Sequence, residues 1–411
     1  MTSFLTLDDI NVTSHFIFVR ADLNLPIVDG KVTDETRLVR LLPTLKELIA
    51  KKAKIILASH LGRPKGKRSA EDSLKILVPL LQKHLAAPIY FIDDCIGYTV
   101  HEALKTLQDG EILLLENLRF YEQEEKNDPV FSKSLSELAD FYVNDAFSCS
   151  HRAHASIVGI TDYLPAIAGR GMQEELEALK KSLQMPERPV MAIVGGAKVS
   201  TKLAVLKNLT EKVDYLVVGG GMANTFLAAK GIDIGASLCE WDMLKTAQEI
   251  LEQSSQSGCQ IILPQDAVVC EAVLPNAPSR NSSMDEISPQ DRIVDMGVKS
   301  VHYVISLLKT CRTLLWNGPV GVFEILPFDK GTVALAIAIA DLTKTGKLIS
   351  VAGGGDTVSA LVHAKVESSL SYVSTAGGAF LEWLEGKTLP GIVALEKEYK
   401  KQLLTSRGIS R

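Results

Sequence analysis

The sequence predicts an α/β protein made of two doubly wound, parallel-sheet (Rossmann-like) domains joined by a hinge helix. Three observations carry this. Short apolar runs alternate with helix-patterned segments along the chain, as in a parallel sheet covered by helices on both faces. The length, 411 residues, exceeds one ordinary core and suggests about two. The alternation breaks once, at a polar helix over 171–183 that Pro186 and Pro189 end, and strands restart directly after it. The expected division is a first domain over 1–170, a linking helix over 171–185 and a second domain over 186–390, with the tail 391–411 packing back on the first.

In the first half, β-branched and apolar runs predict strands over 16–20, 54–59, 89–92, 111–116 and 141–144. Helical spacing fills the gaps over 36–51, where apolar residues stand at 38, 41, 42, 45, 48 and 49, and again over 73–84, 97–107 and 131–140. The second half repeats the theme, with strands over 190–194, 215–218, 260–263, 313–316, 348–351 and 371–374. Its helices are expected over 198–209, 223–230, 241–253 and 332–341, and the Ser-, Pro- and Asn-rich stretch 275–290 reads as a surface excursion.

Composition narrows the function. Hydrophobic content of 46% and charged content of 23% suit a soluble globular chain. A net charge of −5 argues against nucleic-acid binding by bulk electrostatics. No apolar run reaches the roughly 20 residues of a membrane span, and the N-terminus lacks the pattern of a signal peptide. Six scattered cysteines without a Cys-x-x-Cys pair suggest reduced thiols and a cytoplasmic location.

Residues with chemistry to offer follow the predicted strands, where open α/β sheets bind ligands. In the first half these are Asp22 and Asn24, then His60-Leu61-Gly62-Arg63, then Arg119, then His151-Arg152-Ala-His154; Arg37 opens a helix. Arginines recurring at one sheet edge suit a small, multiply charged anion, because the guanidinium fork matches carboxylate and phosphate. The pair His151 and His154 shows no third metal ligand.

In the second half, Gly195-Gly-Ala-Lys198-Val-Ser-Thr-Lys202 sets two lysines at i, i+4, which on a helix places both ammonium groups on one face near its electropositive end. Gly219-Gly220-Gly221 and Asn317-Gly-Pro are turns after strands, and Glu324 could accept from ribose hydroxyls. Gly353-Gly354-Gly355-Asp356-Thr357 follows another strand and opens a helix, a layout that aims backbone N–H groups at an anion. Asp356 is either the N-cap of that helix or a Mg²⁺ ligand beside bound phosphate. Cations in both halves with no evident general base favour phosphoryl transfer to an already ionised carboxylate.

Seven motifs, in order along nearly the whole chain, resemble phosphoglycerate kinase. They are Val19-Arg-Ala-Asp22-Leu-Asn24-Leu-Pro26, Ser59-His60-Leu-Gly-Arg63-Pro64, Leu115-Glu-Asn-Leu-Arg119-Phe120, His151-Arg152-Ala-His-Ala-Ser156, Gly195-Gly-Ala-Lys198-Val-Ser-Thr-Lys202, Trp316-Asn-Gly-Pro-Val-Gly-Val-Phe-Glu324 and Gly353-Gly-Gly-Asp356-Thr357. The resemblance implies a cytoplasmic, monomeric, hinge-bending glycolytic enzyme. It would move the acyl phosphate of 1,3-bisphosphoglycerate to MgADP, giving 3-phosphoglycerate and MgATP, with no nucleic-acid or membrane partner.

It also implies roles. Asp22, Asn24, Arg37, His60, Leu61, Gly62, Arg63, Arg119 and Arg152 would hold the phosphoglycerate, with Arg37 and Lys198 flanking the transferred group. Lys202, Gly219, Gly220, Gly221, Asn317, Glu324, Gly354, Gly355, Asp356 and Thr357 would hold the nucleotide, Asp356 through Mg²⁺. Two departures stand out: Ala376, where the family often has glycine, and Arg170-Gly171, where it commonly has bulky apolar residues. The segment 169–171 and the turn 375–378 are the expected moving parts.

Overall fold

The structure, a computed structural model, describes residues 4–406. These fall into two compact units, one running to Leu176 and resuming at Thr388, the other spanning Glu177–Lys387.

The main sheet of the first unit has seven strands: β1 (Leu5–Thr6), β2 (Phe16–Ala21), β3 (Lys54–Ala58), β4 (Ile89–Phe91), β5 (Ile112–Leu114), β6 (Phe141–Asp145) and β7 (Ala166–Ala168). They form one sheet in the order β1-β7-β6-β2-β3-β5-β4, and every pairing is parallel. The chain leaves β2 toward β3 and later returns to its other side as β6, so the order reverses at β2. Helix α1 (Thr36–Ala50) buries Leu38, Leu41, Leu42, Leu45 and Leu48, the expected apolar stripe. They pack on Ile17, Val19, Ile55 and Leu57, all fully buried. Truncating one such residue, Leu45→Ala, would cost about 2–5 kcal/mol. The helix Pro390–Ser406 lies against this unit, where the Gly391 N–H donates to Ser150 O at 2.9 Å and Lys397 pairs with Asp162 at 2.8 Å.

Helix α2 (Arg170–Leu179) leaves the first unit and passes into a π-turn, Lys180–Gln184. Its first turn is anchored. The Asp145 carboxylate, at the end of β6, accepts the Met172 N–H at 2.7 Å. Arg170 grips Glu47 at 2.7 and 2.8 Å and Asp8 at 2.6 and 2.8 Å. A Cβ on Gly169 would come 2.5 Å from the Asp145 carboxyl carbon, so glycine here permits close approach of a carboxylate. The segment 169–171, an expected moving part, is thus bonded to the first unit, with Arg170 supplying four of those bonds. Ala376 sits at φ −95°, which any residue adopts, so this conformation does not call for a glycine.

The second unit repeats the parallel plan with β8 (Val190–Val194), β9 (Tyr215–Val218) and β10 (Gln260–Ile262). A small antiparallel sheet follows, β11 (Asp266–Cys270), β12 (Arg280–Ser283) and β13 (Arg292–Met296), in the order β12-β11-β13. The chain then rejoins the main sheet as β14 (Thr313–Asn317), β15 (Ile349–Gly353) and β16 (Tyr372–Ser374), giving β10-β9-β8-β14-β15-β16. The order reverses between β8 and β14, whose core includes Trp316, Ile193 and Leu314, all fully buried. The stretch read as a surface excursion thus contributes β12. Its run Arg-Asn-Ser-Ser lies at the edge of that sheet, with Arg280 and Asn281 exposed.

Buried carboxylates meet glycines here too. A Cβ on Gly297 would overlap the Asp266 carboxylate. One on Gly331 would stand 2.6 Å from Asp295 Oδ1, which belongs to a side chain pushed up to about 7 by burial.

Candidate functional site

In the first unit the predicted residues collect at the carboxyl ends of β2, β3, β5 and β6, around the reversal of strand order. Asn24 Oδ1 accepts the Gly62 N–H at 2.9 Å, and Arg119 Nη1 donates to Gly62 O at 2.9 Å. Arg37 Nη1 donates to Asn24 O at 2.6 Å and stands 3.3 Å from Asp22 Oδ2. Leu61 O accepts from Asn117 Nδ2 at 2.7 Å. Asp22, Asn24, Arg37, Leu61, Gly62 and Arg119 are thereby tied into one cluster. Arg119 Nε is buried without a hydrogen bond and pairs with the Glu125 carboxylate at 3.4 Å. Arg63 is exposed, and exposed Arg152 donates from Nε only as far as its neighbour His151, at 3.2 Å.

Sequence reading passed over the residue at the centre. Arg20, on β2, is wholly buried and donates to Ser156 Oγ at 2.7 Å, and its Nη2 meets His60 Nδ1 at 3.3 Å. Ser156 in turn bonds the buried Glu124, which lies 3.9 Å from Arg20. Burial, with the charges of Arg20 and Arg119 added, holds the His60 imidazole well below its ordinary value and so neutral. His154 is pushed down to about 3 for the same reasons. The available signal was an arginine inside an otherwise apolar strand, which only a buried partner could justify.

Asp22, His60 and Cys149 bring ligand atoms within 4.8 Å of one another. They do not suit a cation, because the Arg20 guanidinium contacts both His60 and Cys149 and Ser148 donates to Asp22. The surroundings are those of an anion site.

In the second unit four loops meet where β8, β9, β14 and β15 end. Helix α3 (Leu203–Thr210) begins only after Lys202. Lys198 and Lys202 are therefore on a coil, not on one helical face; Gly196, at φ +145°, breaks the helical path. Lys198 is exposed. Lys202 is tucked in, donating to Gly195 O at 2.7 Å and Asn317 O at 3.1 Å, and burial pushes it down to about 8 against the pull of Asp356.

Gly219 caps helix α4 (Gly220–Ala229), and Gly220 adopts φ +65°, where a Cβ would come 2.7 Å from Gly196 O. Gly195 allows no Cβ because the Pro319 carbonyl occupies that space. Asn317 Nδ2 donates to Gly353 O at 2.8 Å, leaving Oδ1 buried without a partner. Thr357 Oγ1 donates to Gly353 O at 2.9 Å and accepts the Gly318 N–H at 2.7 Å, so its hydroxyl binds loops together. Glu324 lies exposed on the loop after β14.

Helix α5 (Gly355–His363) is capped by Gly354 at φ +97°, not by Asp356. The N-cap reading of Asp356 therefore fails, and its exposed carboxylate is left on the first turn beside N–H groups that no capping side chain covers. An exposed oxygen ligand next to a phosphate cradle fits Mg²⁺, which takes one or two carboxylates plus substrate oxygens.

Comparison with known proteins gives a consistent result. The family model for phosphoglycerate kinase matches residues 7–387. The phosphoglycerate kinase of Brucella abortus is 55% identical over 394 residues, covering 96% of this chain and 100% of the relative. That of Rhodospirillum centenum is 53% identical over 393 residues, 96% of this chain and 99% of the relative. Among solved structures, phosphoglycerate kinase from Coxiella burnetii superposes with a TM-score of 0.89 at 41% identity, covering 96% of this chain and 100% of that one. The enzyme from Pyrococcus horikoshii gives 0.77 at 33% identity, covering 97% and 100%.

Proposed function

The chain belongs to the phosphoglycerate kinase family, and from that premise we propose which of its residues do the work. The activity itself follows from the family: a glycolytic phosphotransferase moves the acyl phosphate of 1,3-bisphosphoglycerate to ADP, giving 3-phosphoglycerate and ATP, reversibly.

The first unit takes the phosphoglycerate. The bonded cluster of Asp22, Asn24, Arg37, Leu61, Gly62 and Arg119 supplies hydroxyl partners and guanidinium forks, neutral His60 adds a hydrogen-bonding edge, and exposed Arg63 and Arg152 remain for the phosphate. The second unit takes the nucleotide. Gly219, Gly220 and Gly221 flank the base, Glu324 the ribose, and Lys202, Asn317, Gly354, Gly355 and Thr357 frame the phosphates. Asp356 would hold Mg²⁺, which supplies charge neutralisation on the nucleotide phosphates when bound. Arg37 and Lys198 neutralise charge as it moves between acceptor and leaving oxygens. The acceptor carboxylate is ionised at neutral pH, so no base is needed.

Reacting oxygens must meet within about 3–3.5 Å, so substrates held on separate units react when closure brings them together and expels water. Six free thiols and a net charge of −5 support a cytoplasmic monomer without nucleic-acid partners. No helix among the described residues is long and apolar enough to cross a membrane.

The observation that carries this reading is the gathering of these residues at the strand-order reversals of both sheets. Arg37→Ala and Lys198→Ala test it in an assay coupled from 3-phosphoglycerate and MgATP. Each is expected to lower kcat about 100-fold or more while each KM moves little. Unchanged turnover in Lys198→Ala would remove that lysine from the mechanism.

A further inference from the structure

Lys198 sits on a coil, so something other than a helix must hold it in place. The stretch between β8 and α3 has few internal supports: Thr201 Oγ1 donates to Lys198 O at 2.8 Å, and the Lys202 N–H to Val199 O at 3.0 Å. The firmest external support is one carboxylate. Glu240 Oε2 accepts the Ser200 N–H at 3.0 Å, Oε1 accepts the Ser200 hydroxyl at 2.6 Å, and the Val199 N–H bonds the same group.

Glu240 is itself strapped to the glycine turn's helix. Its N–H donates to Thr225 Oγ1 at 3.1 Å, and Thr225 is fully buried on α4. Asn224 Nδ2, one residue earlier on α4, donates to Leu238 O at 3.1 Å. At the start of α4, a Cβ on Gly221 would come 2.6 Å from Ala197 O and 3.0 Å from the Leu238 side chain. The stretch 238–240 thus lies between α4 and the lysine coil and is bonded to both.

We propose that Glu240 is a positioning residue for Lys198: its carboxylate fixes the backbone at Val199 and Ser200 so that the ammonium group meets the transferring phosphoryl group. The proposal rests on the role assigned to Lys198 above. A carboxylate suits the task because all three partners are donors and the ionised group is acceptor-only. Glutamine offers one acceptor oxygen and turns an NH₂ toward an N–H or O–H. Lys198 also lies within electrostatic reach of Glu240, so the carboxylate is bonded to Lys198's near neighbours while drawing on its charge.

The test is a kinetic cycle on the full chain with Glu240→Gln, Lys198→Ala and the double variant, thermal melting being followed alongside. Glu240→Gln is expected to lower kcat about 10- to 100-fold, as displacements of about 1 Å do, with KM for 3-phosphoglycerate unchanged within about two-fold. On the Lys198→Ala background the same change should add almost nothing, because the group it positions is gone. A full-sized drop on that background, or an unchanged kcat in the wild-type background, overturns the proposal. Should Glu240→Gln melt early, Ser200→Ala in the same cycle removes one of the three bonds and must show the same loss of effect without Lys198. If Lys198→Ala alone leaves turnover intact, the assigned role of Lys198 fails, and Glu240 is then only a loop cap.

Discussion

Lys202 gives its ammonium to two backbone carbonyls, and burial leaves it with a pKa of about 8, below the usual lysine range. Part of the population is therefore neutral in mildly alkaline solution. Nucleotide phosphate at this position would favour the charged form, so binding near pH 8 should take up protons. Calorimetry of MgADP binding in buffers of different ionisation enthalpy measures that uptake directly. We expect it to be positive near pH 8, to vanish toward pH 6, and to be lost in Lys202→Arg, which stays charged throughout. Zero uptake at pH 8 would mean the lysine keeps its carbonyl partners when nucleotide binds. The residue scale is also where sequence reading succeeded and failed most sharply. Arginines after strands were legible because side chains at strand ends face ligands. Arg20 was not, since its justification is Ser156 and Glu124, far along the chain. Glu240 was passed over because its partner Ser200 is 40 residues away and nothing local marks either.

At the scale of elements, the buried central strands were readable as apolar runs; Val190–Val194 and Tyr215–Val218 have the expected limits. Their position in the middle of a sheet demands apolar side chains on both faces. The edge strand Arg280–Ser283 escaped because exposure removes that demand. Helix starts near glycines were misplaced for a related reason. Which glycine of a run takes the positive φ is not written in the run itself: Gly196 and Gly354 do, while Gly195 and Gly355 do not. The loop junction makes a clear prediction. Gly195→Ala places a methyl group on the Pro319 carbonyl and must push apart the loops after β8 and β14. MgADP affinity should fall about 10-fold or more, consistent with overpacking costs of about 1–3 kcal/mol, while 3-phosphoglycerate affinity stays near wild type. Equal weakening of both ligands would show that the strain spreads beyond this unit.

Over the whole molecule, the separate cores explain why two domains could be read from one sequence: strand patterns stop and restart around a polar helix. The point of division was harder to place, because Arg170–Leu179 is a continuous helix that belongs to the first unit as far as Leu176. Division of labour predicts a footprint. In hydrogen exchange, 3-phosphoglycerate alone should protect amides around 22–24, 60–63 and 119, and MgADP alone those around 195–202, 219–222 and 353–357. Protection of the second set by 3-phosphoglycerate alone would contradict the assignment of each substrate to its own unit.

The carboxylates packed on glycines bear on how this chain can change over time. Asp145 on Gly169, Asp266 on Gly297 and Asp295 on Gly331 each join residues far apart in sequence, and each leaves no room for a methyl group on the glycine. A mutation at the glycine alone meets the acid; one at the acid alone leaves backbone N–H groups, such as those of Met172 and Gly331, without their acceptor. A change at either position is therefore expected to be tolerated best together with a change at its counterpart, so each pair should show coupling in a double-mutant cycle of thermal stability.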